Sequence, residues 1–260
     1  EAPLVIVEMD CYVDGWGLAV SLYHALNDGY GTVQFVMDWA RVQQGLDVAL
    51  VNHDRGFFSA SGGEVESDIE GLVLLEKRDV DFLPCESRLI YFDEQHLARL
   101  KQEGSDGVED GKWISTGDAL SALIWKCVTK ARGIQNGEST FEQVVNMRYV
   151  LGDKHVELKR YFGNAVCFSG THIDVNDIYE MPLSEISTRI RESVLDIDEE
   201  YLESMLNWIN KQPDKSIIRC GSFKNKFTNN IILSNWTSFP HYDIDFGTGP
   251  PIQVTYPEFP

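Results

Sequence analysis

Two short apolar-rich runs, Leu4-Val5-Ile6-Val7-Glu8-Met9 and Gly17-Leu18-Ala19-Val20-Ser21-Leu22, flank a turn from Cys11 to Trp16 that is rich in Asp and Gly. That arrangement predicts a β-hairpin. From Gly31 to Ala49 the residues Val33, Phe35, Val36, Trp39 and Ala40 recur at helical spacing. The segment Tyr23-His24-Ala25-Leu26-Asn27-Asp28-Gly29 therefore lies between a strand and a helix, where loops commonly carry chemistry. Further along, Arg88 to Phe92 reads as a strand, Asp93 as an N-cap and Glu94 to Glu103 as an amphipathic helix. Ser115-Thr116-Gly117-Asp118 opens a strong helix from Ala119 to Arg132, with Leu120, Leu123, Ile124, Cys127 and Val128 on one face and Trp125 in the core. Val144 to Arg148 and Val166 to Ile173 read as strands, Pro182 to Leu206 as one helix, and Ile231 to Trp236 as a last strand before a structured loop at Asp243 to Pro250. Alternation of strands and helices predicts an α/β (α+β) fold.

Periodicity weakens between Asn52 and Cys85, through Ser59-Ala60-Ser61-Gly62-Gly63 and the acidic run Glu64 to Glu70. A lobe boundary is expected there. Residues 1–68 form the first lobe in this reading, 69–85 a crossover, and 86–260 the second lobe.

Composition narrows the partners without naming one. A chain of 260 residues that is 43% hydrophobic can bury a sizeable core. Its net charge of -19 opposes general binding to nucleic acid or anionic membranes, although a local basic pocket can still take an anion within a screening length of about 8 Å. Five widely spaced cysteines, with no CxxC pair, fit small buried thiols in a reducing, cytoplasmic setting and give no zinc site. No metal is expected. Asn235-Trp236-Thr237 is then a chance glycosylation sequon.

His24 is the chemical clue. Imidazole titrates near neutrality, Asp28 follows one helical turn later, and Gly29 permits a tight bend. By itself this spacing also suits an ordinary loop histidine.

Five landmarks in order change that reading: the His24 to Gly29 loop, Ser115 to Trp125 (STGDALSALIW), Asn146-Met147-Arg148, Tyr161 to Ala165 (YFGNA) and Asp245 to Gly249 (DFGTG). Together they resemble the plant and fungal BAHD acyl-CoA-dependent acyltransferases, most closely a fungal-type member. The resemblance implies two chloramphenicol-acetyltransferase-like lobes with His24 in a channel between them. Relatives have further N-terminal strands and a C-terminal tail, so an internal fragment with an incomplete N-terminal lobe is expected.

What the resemblance implies for each residue is specific. His24 would be the general base, and Asp28 would point away from the reacting atoms and pair with Arg148. Gly29, Asp245, Phe246, Gly247 and Gly249 would be structural, with Thr248 standing where relatives have tryptophan. Ser234 and Trp236 are the candidates for donating to the oxyanion, since both can donate a hydrogen bond. Arg219, Lys224 and Lys226, the densest basic group, are the candidates for the CoA phosphates. The partners would be acyl-CoA, with acetyl-CoA the expected donor, and a small secondary-metabolite alcohol or amine. A monomer with no permanently bound cofactor is expected. Trp16, Tyr30 and Phe168 are candidates for lining an acceptor tunnel, with core packing their ordinary role.

Two other readings stay open. A peptide-synthetase condensation domain uses a similar loop with a carrier-bound donor, but generally has a second histidine where Tyr23 stands and lacks a DFGTG-type signature. A non-catalytic remnant is the other.

Overall fold

A computed structural model of the chain describes residues 3–63, 69, 72–74, 86–152, 155–220 and 229–255. It divides into two compact units. The first gathers Glu1–Phe57, Asn146–Val166 and Trp236–Pro257, and the second Phe58–Val145, Cys167–Asn235 and Glu258–Pro260. Of the expected crossover at 69–85, Ile69 and Leu72–Leu74 fall among the described residues.

In the first unit, β1 (Val5–Cys11) pairs antiparallel with β2 (Trp16–Leu22), in register from Val5 opposite Leu22 to Cys11 opposite Trp16. The Tyr12 N–H donates to the Gly15 carbonyl at 2.8 Å and closes the hairpin. Helix α1 runs Gly29–Gln43, rather than from Gly31 to Ala49, and buries Val33, Val36 and Ala40. Its ends explain the difference. Asp28 caps the first turn, and Gly45, at φ +72°, ends the helix: its N–H donates to Val42 O while the Leu46 N–H donates to Arg41 O. That pair of bonds satisfies carbonyls left open by the last turn.

The second unit holds helices α2 (Glu94–Gly104), α3 (Thr116–Ala131), α5 (Val175–Glu180), α6 (Leu183–Leu195) and α7 (Glu199–Lys211). Strands β3 (Leu72–Leu74) and β6 (Ile218–Cys220) pair antiparallel. A three-stranded sheet has the order β5 (Val166–Asp174), β4 (Glu138–Asn146), β7 (Ile231–Leu233), with β4 and β7 parallel from Phe141 opposite Ile231. Trp125, Phe141, Ile178, Ile186 and Ile190 form the centre of its core, each such side chain contributing about 1.5–3 kcal/mol by leaving water. Trp125 keeps its polar atom satisfied, donating from Nε1 to Ser139 Oγ at 2.8 Å.

Five further elements differ from expectation. Helix α3 turns Asp118, Ala119, Ser121, Ala122, Trp125 and Thr129 inward, while Cys127 is exposed. Ala119 lies on that face where α2 comes very close: a Cβ on Gly104 would stand 2.6 Å from Ala119 Cβ. Arg88 to Phe92 is not a strand, since nothing among the described residues pairs with it, and Leu89, Ile90 and Tyr91 are exposed. The strand expected at Val144 to Arg148 is instead the end of β4 and the start of α4 (Met147–Leu151), because the Asn146 side chain caps the Arg148 N–H. The helix expected from Pro182 to Leu206 breaks into α6 and α7 where Asp198 caps the Tyr201 N–H at 2.8 Å. The last strand stops at Leu233, short of Trp236.

Candidate active site

From the end of β2, the Tyr23 N–H donates to Leu4 O at 2.9 Å and the Leu26 N–H turns back to Tyr23 O at 2.8 Å. His24 rides on this turn with its side chain exposed. Its backbone carbonyl accepts from Asn164 Nδ2 at 2.8 Å. The next residues invert the pattern, for Asn27 and Asp28 are 2% and 3% exposed. One face of the loop meets solvent and the other is locked into the unit.

Asp28 does two jobs with two oxygens. Oδ1 accepts from the Gly31 N–H at 3.0 Å, capping α1, and Oδ2 accepts from Arg148 Nη1 at 2.8 Å and from the Ala165 N–H at 2.8 Å. Arg148 is fully committed: Nε and Nη2 donate to Tyr161 O at 3.1 and 3.0 Å, and Nη2 donates to Gly163 O at 2.7 Å. Its guanidinium also lies over the rings of Tyr30 and Tyr161, 5.2 and 5.7 Å from their centroids. A buried pair tolerates the loss of water when its remaining donors and acceptors are filled, as they are here. The YFGNA turn thus supplies carbonyls to Arg148 and an N–H to Asp28.

Trp236 lies across the first residue of α1. A Cβ on Gly29 would come within 2.5 Å of Trp236 Cζ2. The indole is near-parallel to the His241 imidazole, at 6.1 Å and 9°, and packs on Phe239, whose ring meets Tyr30 edge-on at 5.7 Å. Burial pushes the His241 pKa down, with a hydrogen bond to the Trp236 backbone opposing it in part. Burial likewise raises the Tyr30 phenol, helped by Tyr149 beside it.

The DFGTG loop is built around Asp245, whose Oδ1 accepts from the N–H groups of Gly247 and Gly249 at 2.7 and 2.9 Å. Those backbone donors hold its carboxyl below the usual range. Gly247 and Gly249, at φ +97° and +100°, adopt the left-handed backbone that this ring of bonds requires. The Asp245 carbonyl accepts from Gln44 Nε2 at the end of α1. Phe246 sits edge-on to both Trp16 and Trp39, 5.8 and 5.1 Å between centroids.

His24, Asp28, Gly29, Arg148, Trp236 and the Asp245 to Gly249 loop therefore belong to one unit. Ser234 and Arg219 belong to the other. Ser234 is exposed beyond the end of β7, and Arg219 Nη1 donates to the carbonyls of Ser216 and Ile218 at 2.8 and 2.6 Å. Lys224 and Lys226 lie outside the described residues. Asn27 and Asn164 lie inside the His24 to Gly29 and YFGNA motifs, yet the sequence gives neither of them a role, nor His241, because their contacts run to backbone groups. A cavity of about 170 Å³, walled by Phe35, Val51, His53, Tyr161 and Phe162, also lies in the first unit. It is smaller than the ~300 Å³ at which ligand pockets begin.

No described helix is long and apolar enough to cross a membrane. Comparison with known proteins supplies the relatives. The chain is 24% identical over 283 residues to hydroxycinnamoyl-CoA:piscidic acid hydroxycinnamoyltransferase of Actaea racemosa, covering 98% of this chain and 62% of that protein. It is 24% identical to agmatine hydroxycinnamoyltransferase 1 of Oryza sativa subsp. japonica, covering 98% and 61%. It thus spans about three fifths of the length of these curated relatives. Among solved structures, TRI101 of F. graminearum, complexed with coenzyme A and deoxynivalenol, superposes with a TM-score of 0.81 at 19% identity, over 99% of this chain and 60% of that one. Vinorine synthase gives 0.64 at 19%, over 99% and 57%. At these identities the structural likeness establishes the fold. The profile of the Transferase family matches residues 1–259, and the chain belongs to that family, the BAHD acyltransferases.

Proposed function

We propose that this chain carries the base-bearing part of an acyltransferase that moves an acyl group from acyl-CoA to a hydroxyl or amine of a small metabolite. One observation carries the reading: within the loop Asp28 turns inward, held by Arg148, while His24 turns outward to solvent. A carboxylate so committed is poor at exchanging protons with a substrate, whereas an exposed imidazole on a braced loop is free to do so. His24 would take the proton of the acceptor as its oxygen or nitrogen attacks the thioester carbon. The C–S bond then breaks, and the imidazolium returns that proton to the departing thiolate.

Negative charge develops on the carbonyl oxygen during attack, and donors already in place lower the barrier more than water does. Trp236 and Ser234 are assigned that role. Trp236 is supported by its fixed place against Gly29, and Ser234 by its position in the chain two residues earlier. Arg219, Lys224 and Lys226 are assigned to the CoA phosphates, a contact that added salt would weaken. The relatives named for hydroxycinnamoyl-CoA support a CoA thioester as donor, and coenzyme A in the TRI101 complex supports it further. A cytoplasmic location fits the reducing setting read from the cysteines, and a monomer is the proposed state.

The purified protein, incubated with acetyl-CoA or hydroxycinnamoyl-CoA and a panel of alcohols and amines, should release free thiol. His24→Gln should lower the rate by ~10²–10⁴-fold, the typical contribution of a positioned proton-transfer group. An unchanged rate in that variant overturns the reading.

A further inference from the structure

Asn27, between the base candidate and the buried carboxylate, is itself buried at 2% exposure. Its Oδ1 accepts from two backbone donors, the N–H of Asp28 and the N–H of Gly163, each at 3.1 Å. Gly163 is distant in sequence and is held from both sides, because its carbonyl accepts from Arg148 Nη2 at 2.7 Å. The turn then grips the histidine loop with three successive residues: the Gly163 N–H on Asn27, the Asn164 side chain on the His24 carbonyl, and the Ala165 N–H on Asp28.

Space has been kept for this amide. A Cβ on Gly31 would lie 2.0 Å from Asn27 Oδ1 and 2.4 Å from its Nδ2, so the side chain fills the volume that any other residue at 31 would take. Asn27 Nδ2 is buried and has no hydrogen-bond partner among the described residues. Burying an unpaired donor is unfavourable, so a residue retained for packing alone would be apolar. Leucine would nearly match the volume but abandon two buried N–H groups. Aspartate would keep both acceptor bonds but place a second carboxylate next to Asp28, whose one guanidinium partner is already committed.

We propose that Asn27 is a positioning residue for His24, fastening the loop to Gly163 in addition to the Asp28–Arg148 pair. This rests on His24 being the reactive base. Without the amide, Asp28 still caps α1 and still meets Arg148, so the helix and the buried pair persist. What is lost is the grip at Gly163, one of the three on the segment that carries the imidazole, which leaves the Asn164 bond to the His24 carbonyl to hold it without that support. Asn27 touches no reacting atom in this account and acts through the ring alone.

Histidine-ring NMR of the intact protein tests it, with the His24 signal assigned by its disappearance in His24→Gln. Asn27→Ala should shift or broaden the His24 signal and leave the other histidines in place. Gly31→Ala, which drives the amide out, should give the same result. The double variant should be no worse than Asn27→Ala alone, because with the amide gone the added methyl has room. Turnover of acetyl-CoA or hydroxycinnamoyl-CoA should fall roughly ten- to hundredfold in kcat with KM little changed, as expected for a misplaced group. A His24 signal unmoved in both single variants overturns the proposal. So does a collapse of all histidine signals together in both, since Asn27 would then hold the fold and not the ring. If His24→Gln turns over as fast as the parent, the acyl-transfer reading fails, while the ring signals still decide the part played by Asn27.

Discussion

The indole of Trp236 rests on the α-carbon of Gly29, with no room between them for a methyl group: an added Cβ would sit 2.5, 2.8 and 2.9 Å from three of its ring atoms. The glycine of the histidine loop is thus explained by what lies on top of it as much as by the bend it permits.

Gly29→Ala should displace that ring. Alanine favours a helical position over glycine by about 1 kcal/mol, but forcing a methyl into a filled contact costs typically ~1–3 kcal/mol. The expected outcome is a lower thermal midpoint together with changed tryptophan emission, and Gly29→Ala/Trp236→Leu should recover much of the midpoint.

Arg148→Met should be among the most damaging single changes in the first unit. It leaves the Asp28 carboxylate, 4% exposed, without its cation, and breaking a buried pair from one side costs about 3–5 kcal/mol. Chemical denaturation should register that loss. Asp28→Asn/Arg148→Met should be less destabilised than Arg148→Met alone, because no uncompensated charge remains.

His241 makes stability depend on pH in a stated direction. Burial holds its folded pKa below the ordinary 6.5, so as pH falls through 6.5 the unfolded chain takes up the proton first. The stability associated with neutral His241 is present above that value and declines as pH falls towards the folded pKa. Thermal midpoints between about pH 7.5 and 5.5 should drop more steeply in the parent than in His241→Phe. Parallel curves would show that the imidazole beside Trp236 titrates as it does in the unfolded chain.

Local signals were legible in the sequence. Asp93 and Ser115 are read as helix starts because a cap is decided within four residues, and Trp125 is read as core because its bulk leaves few alternatives. The inward face of α3 was legible only in part: Leu120 and Leu123 pack on the core, whereas Asp118, Ala119 and Ala122 carry no strong apolar signal, Asp118 being held by Arg191 at 2.8 Å and Ala119 facing Gly104. At the site, His24, Asp28 and Arg148 stood out through the order of several motifs. Asn27 did not, because its meaning depends on one backbone N–H at Gly163, 136 positions away. The split between α6 and α7 was hidden by an apolar stripe that continues through the buried Ile197, across a cap that only the backbone reveals.

Assembly of the first unit from three separated stretches sets a timetable for the nascent polypeptide. Asp28 leaves the ribosome 120 residues before Arg148, and Gln44 leaves 201 before the Asp245 carbonyl it will bind. At ~5–20 residues per second, the carboxylate waits roughly 6–24 s for its guanidinium. Throughout that delay the α1 face with Val33, Val36 and Ala40, buried in the finished unit, lacks the stretches 146–166 and 236–257 that complete that unit and is apolar bait for other chains, so yield in a cell should respond to chaperone supply and translation speed.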